Sequence, residues 1–388
     1  MDFEYDDEQQ ALRDAVRGLL TKAYGDFEKR RTATRGERAY DPDVWRQLAE
    51  MGVLGLPFAE ADGGMGAGPL EVGIVAEELG RVLAPEPFLT AVVLAGGAVA
   101  AAGTDAQRAA LLEPLAAGES LLAWAHDEPG HGYTSSASAT KASQEGDGWM
   151  LTGTKEPVVS GEHADVLVVT AALPDGPSTG SGGAGTGLFT VAADAAGLTR
   201  TGYPTHDGGR AALITFDGTP AEALGEGADA TAVVERVLDQ ARVAAAAEAL
   251  GLISEALSAT RDYLTSRKQF GVTLNTFQAL TFRASDMYVD LELTRSLVLW
   301  AAMVLDAGSP EEASVAASRA ALQVATAGKR VGQEAIQLHG GIGVTAEYSV
   351  GHRLSRLRAL EAQLGDARLH TARLAGRVAS YGEVDPLP

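Results

Sequence analysis

Tyr263 and Arg267 stand four residues apart, a spacing that places both on one face of a predicted helix. Gln269-Phe270-Gly271 ends that helix, and after a short turn a second helix opens at Phe277-Gln278. Arg267 offers a planar, permanently charged fork of the kind that grips phosphate. Gln269 and Gln278 offer amide donors and acceptors, while Phe270 and Phe277 offer flat apolar surface. Read alone, the stretch is equally compatible with an amphipathic helix ending in a surface arginine. A second stretch, Gln337-Leu338-His339-Gly340-Gly341-Ile342-Gly343, falls at the end of a later helix. Glycines there let backbone approach a ligand, and their amides can bind oxygen atoms. His339 lies inside this run and reads as part of the turn, not as a general base.

The elements that position these residues fall into three zones. Residues 1–120 read as helical. Asp6-Asp7 caps a helix to about Leu20, Asp41-Pro42 forms an N-cap and first-turn pair before Gly52, and Glu71 to Val82 is apolar at helical spacing. Thr104 caps a helix ending near Gly118, and the glycine-broken stretch around Ala91–Ala102 reads as a buried helix. Residues 121–228 change character. Trp149–Gly153, Val166–Thr170, Leu188–Val191 and Ala212–Phe216 are short runs of β-formers between turn residues, which predicts a small antiparallel β-domain. Gly176 to Gly187 is a flexible loop by composition. Residues 229–388 are helical again. One pattern runs from a possible cap at Asp229 to Lys268, and another from Thr276 to Ala307 with Asn275 as cap. Ser309-Pro310-Glu311-Glu312 is a helix start with cap, proline and acids at the positive dipole end. Two shorter helices close the chain.

Composition bounds the function. The 388 residues suffice for two or three domains. A hydrophobic share of 46% is ordinary for a globular protein. The formal charge of −21 argues against nucleic-acid or anionic-membrane partners, yet local basic residues can still hold phosphates. Cysteine is absent, which excludes disulfides, thiolate metal sites and cysteine nucleophiles; no metal site is expected. No targeting signal and no uninterrupted apolar run of membrane length stand out, so a cytoplasmic location is expected.

Both motifs, their separation and the order of zones resemble the acyl-CoA dehydrogenase family over the whole length. The resemblance implies an N-terminal helical domain, an antiparallel β-barrel-like domain and a C-terminal four-helix bundle, mainly α with a central β-domain. It implies FAD as cofactor and removal of two hydrogens from the Cα–Cβ bond of an acyl-CoA thioester. It assigns Arg267, Gln269, Phe270, Phe277, Gln278, Gln337, Leu338, Gly340 and Gly341 to a flavin lying mainly in a neighbouring subunit. A dimer or tetramer is implied, with electron-transferring flavoprotein as acceptor. Ala125–Gly132 looks like the loop that covers the flavin ring, but Asp127 replaces the usual Thr and Tyr133-Thr134 the usual Ser-Asp. In the next motif Pro157 stands at the usual aromatic and Val159 at the usual Thr. Val159 cannot donate a hydrogen bond to flavin.

Abstracting a proton from the α-carbon requires a carboxylate of suitable pKa. The family's Glu position falls on Leu364, and the alternative position on Ala241. Neither side chain can take a proton. Asp239 points to another side of the helix, Glu248 is two turns from Ala241, and Glu361 and Asp366 read as helix-end acids. Arg242 matches a family residue near the thioester, and Tyr133 and Asp239 join it on the substrate side. The favoured reading is a base-lacking subunit of a heteromer, similar to bacterial enzymes that degrade sterol side chains. A self-sufficient enzyme with a displaced base, and a non-oxidising relative, are the alternatives.

Overall fold

The structure is a computed structural model that describes residues 5–146, 148–174 and 185–381. Its first six helices are α1 (Asp7–Tyr24), α2 (Phe27–Arg35), α3 (Pro42–Glu50), α4 (Pro69–Val82), α5 (Gly97–Ala102) and α6 (Asp105–Ala116). Asp6, Asp41 and Thr104 cap α1, α3 and α6 as their sequences predict. The stretch ahead of α5 is wound as a π-helix, Phe88–Gly96, and every residue in it is buried. Its wider turn shifts which side chains face each neighbour, which no helical-wheel reading of the sequence anticipates.

Seven strands follow: β1 (Leu122–Ala125), β2 (Lys141–Glu145), β3 (Gly148–Val159), β4 (Val166–Ala172), β5 (Thr186–Ala192), β6 (Leu198–Pro204) and β7 (Arg210–Ala223). The order β4-β2-β3-β7-β5 returns to β4, closing a small barrel around Leu151, Leu167, Phe189, Ile214 and Phe216. Pairing is antiparallel except that β1 and β2 each run parallel to β4, a departure from the purely antiparallel expectation. β1 is buried along its whole length, as a strand beside helices must be. Residues 176–184 of the glycine-rich stretch lie outside the described residues, while Thr186-Gly187 already belong to β5.

The C-terminal bundle holds α7 (Thr231–Ser266), α8 (Gln278–Ala307), α9 (Pro310–His339), α10 (Ser349–Leu364) and α11 (Ala367–Ala375). Ala230, not Asp229, is the cap residue of α7. Asp229 instead accepts from the Thr231 amide at 3.1 Å and the Thr186 amide at 3.0 Å, tying the bundle to β5. By length and composition α7 would cross a membrane, contrary to expectation, but 72% of its apolar window is buried inside the protein. It crosses α4 backbone to backbone. A Cβ at Gly80 would lie 2.0 Å from the Glu248 carbonyl oxygen, and one at Gly251 2.0 Å from that of Glu77, so only glycine fits either place.

Candidate functional site

The helix carrying Tyr263 ends one residue before Arg267, whose extended backbone follows Ser266. Beyond it, β8 (Lys268–Gln269) and β9 (Val272–Thr273) form a two-stranded hairpin. Phe270 (φ 54°) and Gly271 (φ 85°) make its turn, with both central residues in the left-handed region that a tight hairpin requires. So Gln269-Phe270-Gly271 is a projecting hairpin and not a helix end, and Tyr263 and Arg267 do not share a helical face. A short 3-10 turn, Leu274–Thr276, then leads into α8, capped by Phe277 and not by Asn275. Phe270 meets Phe277 edge to face at 6.2 Å and is otherwise 92% exposed.

The second motif closes α9 beside the first. Gly340 (φ 65°) breaks the helix, and Gly340–Val344 continues as a 3-10 turn. His339 is buried, its Nδ1 lies 2.7 Å from the Ala335 carbonyl, and its ring packs between Tyr263 (4.6 Å) and Tyr348 (5.1 Å). That stack joins the two motifs into one surface. Arg267, Gln269, Gln278 and Gln337 are exposed there, and their side chains have no partner among the described residues. Gly340 and Gly341 present backbone alongside. Leu338 differs: its side chain is in the bundle core, leaving only its backbone for a ligand. Beside this surface Phe282, one turn into α8, and Val344, at the end of the 3-10 turn, are 64% and 73% exposed, more apolar area than a lone surface residue explains.

The other half lies where β1, β3, the π-helix and the end of α10 meet. Asp239 and Arg242 are buried on α7, with Arg242 Nη1 2.6 Å from Asp239 Oδ1. Arg242 Nε donates to the Leu364 carbonyl at 3.0 Å, so the guanidinium ties the end of α10 to α7. Leu364 and Ala241 are both buried hydrocarbon. Burial, with the carboxylates of Asp366 and Glu361, raises the pKa of the partly exposed Tyr133 hydroxyl. Glu248 is clamped by Arg356 at 2.6 and 3.1 Å, and Asp366 caps α11 by accepting from the Leu369 amide at 2.9 Å. Both acids are structural.

The β-domain loop is locked from within. Lys155, fully buried, donates to Glu128 at 2.9 Å and to the His126 carbonyl at 2.8 Å. Glu128 also accepts the amides of Ser138, Ala139 and Thr140. Burial opposes its ionisation, but the Lys155 ammonium and these amides prevail and hold it at about 2. Burial holds the His126 imidazole neutral, down to about 4, between Thr170 and the Thr134 carbonyl. Burial raises Asp127 to about 6. Trp124, Asp127, Pro157, Val159, Leu238 and Leu364 enclose a cleft of about 20 Å³, room for one water.

Residues 6–119 match the family described as "Acyl-CoA dehydrogenase, N-terminal domain", and residues 230–379 match "Acyl-CoA dehydrogenase, C-terminal domain". The probable acyl-CoA dehydrogenase YngJ of Bacillus subtilis is 30% identical over 386 residues, covering 95% of this chain and 97% of its own. Among solved structures, a variant of the Tcur3481–Tcur3483 steroid ACAD is 35% identical with TM-score 0.86, covering 96% of this chain and 98% of that one. The ChsE4–ChsE5 complex of Mycobacterium tuberculosis is 28% identical with TM-score 0.86, covering 98% and 99%. The chain belongs to the acyl-CoA dehydrogenase family, a family of FAD-dependent oxidoreductases. The two halves of its site fit FAD unequally. The bundle surface fits the phosphates and adenosine, with an unpaired guanidinium, open amides and flat rings. The cleft fits the isoalloxazine less well, because Val159 offers it no hydrogen-bond donor.

Sequence reading missed several residues here. Lys155 is an ordinary strand lysine by pattern, and Glu86, Trp124 and Gln363 carry no motif. Only the packing of distant segments shows that they line or lock the site.

Proposed function

We propose that this chain is the base-lacking subunit of a heteromeric acyl-CoA dehydrogenase, working in the cytoplasm. One observation carries the reading: the dinucleotide-binding surface is exposed and unpaired, while both base positions, Leu364 and Ala241, are buried hydrocarbon. FAD, when bound, accepts the hydride taken from the acyl Cβ. Arg267 would set a fixed charge against its phosphates, and Gln269, Gln278, Gln337 and the Gly340-Gly341 backbone would supply hydrogen-bonding groups for the rest of it. Phe270 and the apolar side chains around it shut water out once a second subunit covers them. That subunit supplies the carboxylate that removes the α-proton, because no side chain at Leu364 or Ala241 can. Arg242 holds the end of α10 at Leu364. Two solved relatives with paired names support a second family chain as the partner. Electron-transferring flavoprotein is the acceptor the family implies.

The test is expression of the chain alone and with a second, Glu-bearing family member encoded beside it, followed by flavin per chain and acyl-CoA-dependent dye reduction. Flavin and activity are expected only for the pair, at one FAD for two different chains. A chain that purifies yellow and active by itself overturns the proposal.

A further inference from the structure

A pocket of about 280 Å³ opens between the π-helix, α5 and the first half of α7, apart from both halves of the site described above. None of the residues lining it lines the cleft at Leu364. Its walls are hydrocarbon, with Val72, Val92, Val93, Val243 and Leu305 among them. An apolar cavity of about 150 Å³ takes up a benzene, so this one has room for a straight chain of about eight carbons. Gly97 stands on the wall in ordinary right-handed helix (φ −60°, ψ −38°). A Cβ at Gly97 would meet no atom within 4 Å beyond its own helix. Neither backbone conformation nor crowding requires a glycine there, and glycine weakens a helix. Its effect is to leave the pocket empty. Arg236, Gln240 and Ala101 line the pocket and are exposed, so the mouth lies along α7 and α5.

We propose that this pocket binds a straight aliphatic carboxylate of medium length, its chain between the π-helix and α7 and its head on Arg236. The walls select the tail, since methylenes buried against them leave water. The mouth selects the head. Among the described residues Arg236 is the one charged residue that lines the pocket, and it makes no hydrogen bond or ion pair there. Gln240, one turn further along α7, is likewise without a partner among the described residues. A carboxylate at the mouth gains a charge-assisted pair with the guanidinium, and the Gln240 amide can donate to it as well. The acids nearby do not line the pocket. Glu71 and Asp306 come within 3.3 and 3.4 Å of where a Gly68 Cβ would stand, behind the wall, and Glu71 is held by Gln9 at 2.8 Å and the Gly68 amide at 3.0 Å. On α7, Glu235 accepts from the Ser135 hydroxyl at 3.0 Å, and Asp239 pairs with Arg242 at 2.6 Å.

Octanoate, octanol and octylamine share one chain and carry an anion, a neutral hydroxyl and a cation at neutral pH. Their binding to the full chain, with any partner that co-purifies, is measured by calorimetry below micellar concentrations. Octanoate is expected to bind at least fivefold more tightly than octanol, and octylamine most weakly. Butanoate, too short to cover the walls, should bind at least tenfold more weakly than octanoate. Arg236→Gln should bring octanoate to within twofold of octanol and leave octanol unchanged. Gly97→Leu fills the pocket and should abolish octanoate binding without lowering the unfolding temperature. Ala101→Leu plugs the mouth from an exposed position and gives the same readout if Gly97→Leu does not fold. Octanol or octylamine binding as tightly as octanoate, no binding of octanoate, or octanoate binding that the plugged variants leave unchanged overturns the proposal.

Discussion

The bundle surface and the β-domain cleft use polar groups in opposite ways. At the bundle surface Arg267, Gln269, Gln278 and Gln337 are exposed and have no side-chain partner among the described residues, with the exposed Phe270 and Phe282 nearby. In the cleft, Lys155 answers Glu128, Arg242 answers Asp239, and three amides and a carbonyl complete the network. One region keeps its hydrogen-bonding capacity for something outside the chain. The other uses most of its capacity to hold its own loops closed. The lesson is that family membership fixes the frame, while catalytic competence depends on which side chains remain free.

The contrast can be broken most directly at Lys155. Lys155→Met leaves the Glu128 carboxylate buried without its cation, and should cost roughly 3–5 kcal/mol in urea unfolding. A loss below about 1 kcal/mol would mean the cleft is not held shut from within. At the bundle surface the expected pattern is reversed. Arg267→Ala removes a charge-assisted contact to phosphate and should weaken flavin retention in the assembly by about 1.5–3 kcal/mol. Its effect on chain stability should stay within about 0.5 kcal/mol. Flavin at full occupancy in that variant would remove Arg267 from the cofactor surface.

Glu86, buried and bonded to the Tyr24 hydroxyl, gives a pH-dependent test. Native Glu86, raised to about 7, binds a proton that the unfolded chain has already released, so its stabilising contribution is present below about pH 4.5 and lost as pH rises through about 7. Glu86→Gln should therefore stabilise the chain by about 1–3 kcal/mol at pH 8, with little effect near pH 4.5. Equal shifts at both pH values would place the ionisation elsewhere. The smallest effect belongs to Phe270→Ser. With the ring 92% exposed, the isolated chain should change by less than about 0.5 kcal/mol, while association of the subunits, read by sedimentation, weakens about tenfold.

Helix starts were the most legible part of the fold, because caps act within one turn. Asp6, Asp41, Thr104 and Ser309 each accept or pair locally, as their sequences announce. The junction after α7 was legible as a break but not as a hairpin. Gln-Phe-Gly ends a helix and turns a hairpin equally well, and only strand pairing of Lys268–Gln269 with Val272–Thr273 decides between them. Strands β2 and β6 escaped notice because they are largely polar, and β1 because it is only four residues long and pairs with the distant β4.

The sequence by itself determined the family, the order of zones, and the hydrocarbon side chains at Leu364 and Ala241. These are properties of residue identity and spacing, and no packing can give a leucine a proton to accept. Tertiary structure alone decided which polar groups stay available. Folding seals Arg242 and Glu248 in ion pairs, leaves Arg267 exposed beside a hairpin, and brings Glu86 near Gln363 across more than 270 residues of chain. Burial and pairing depend on contacts between distant segments, and those exist only once the chain has closed on itself.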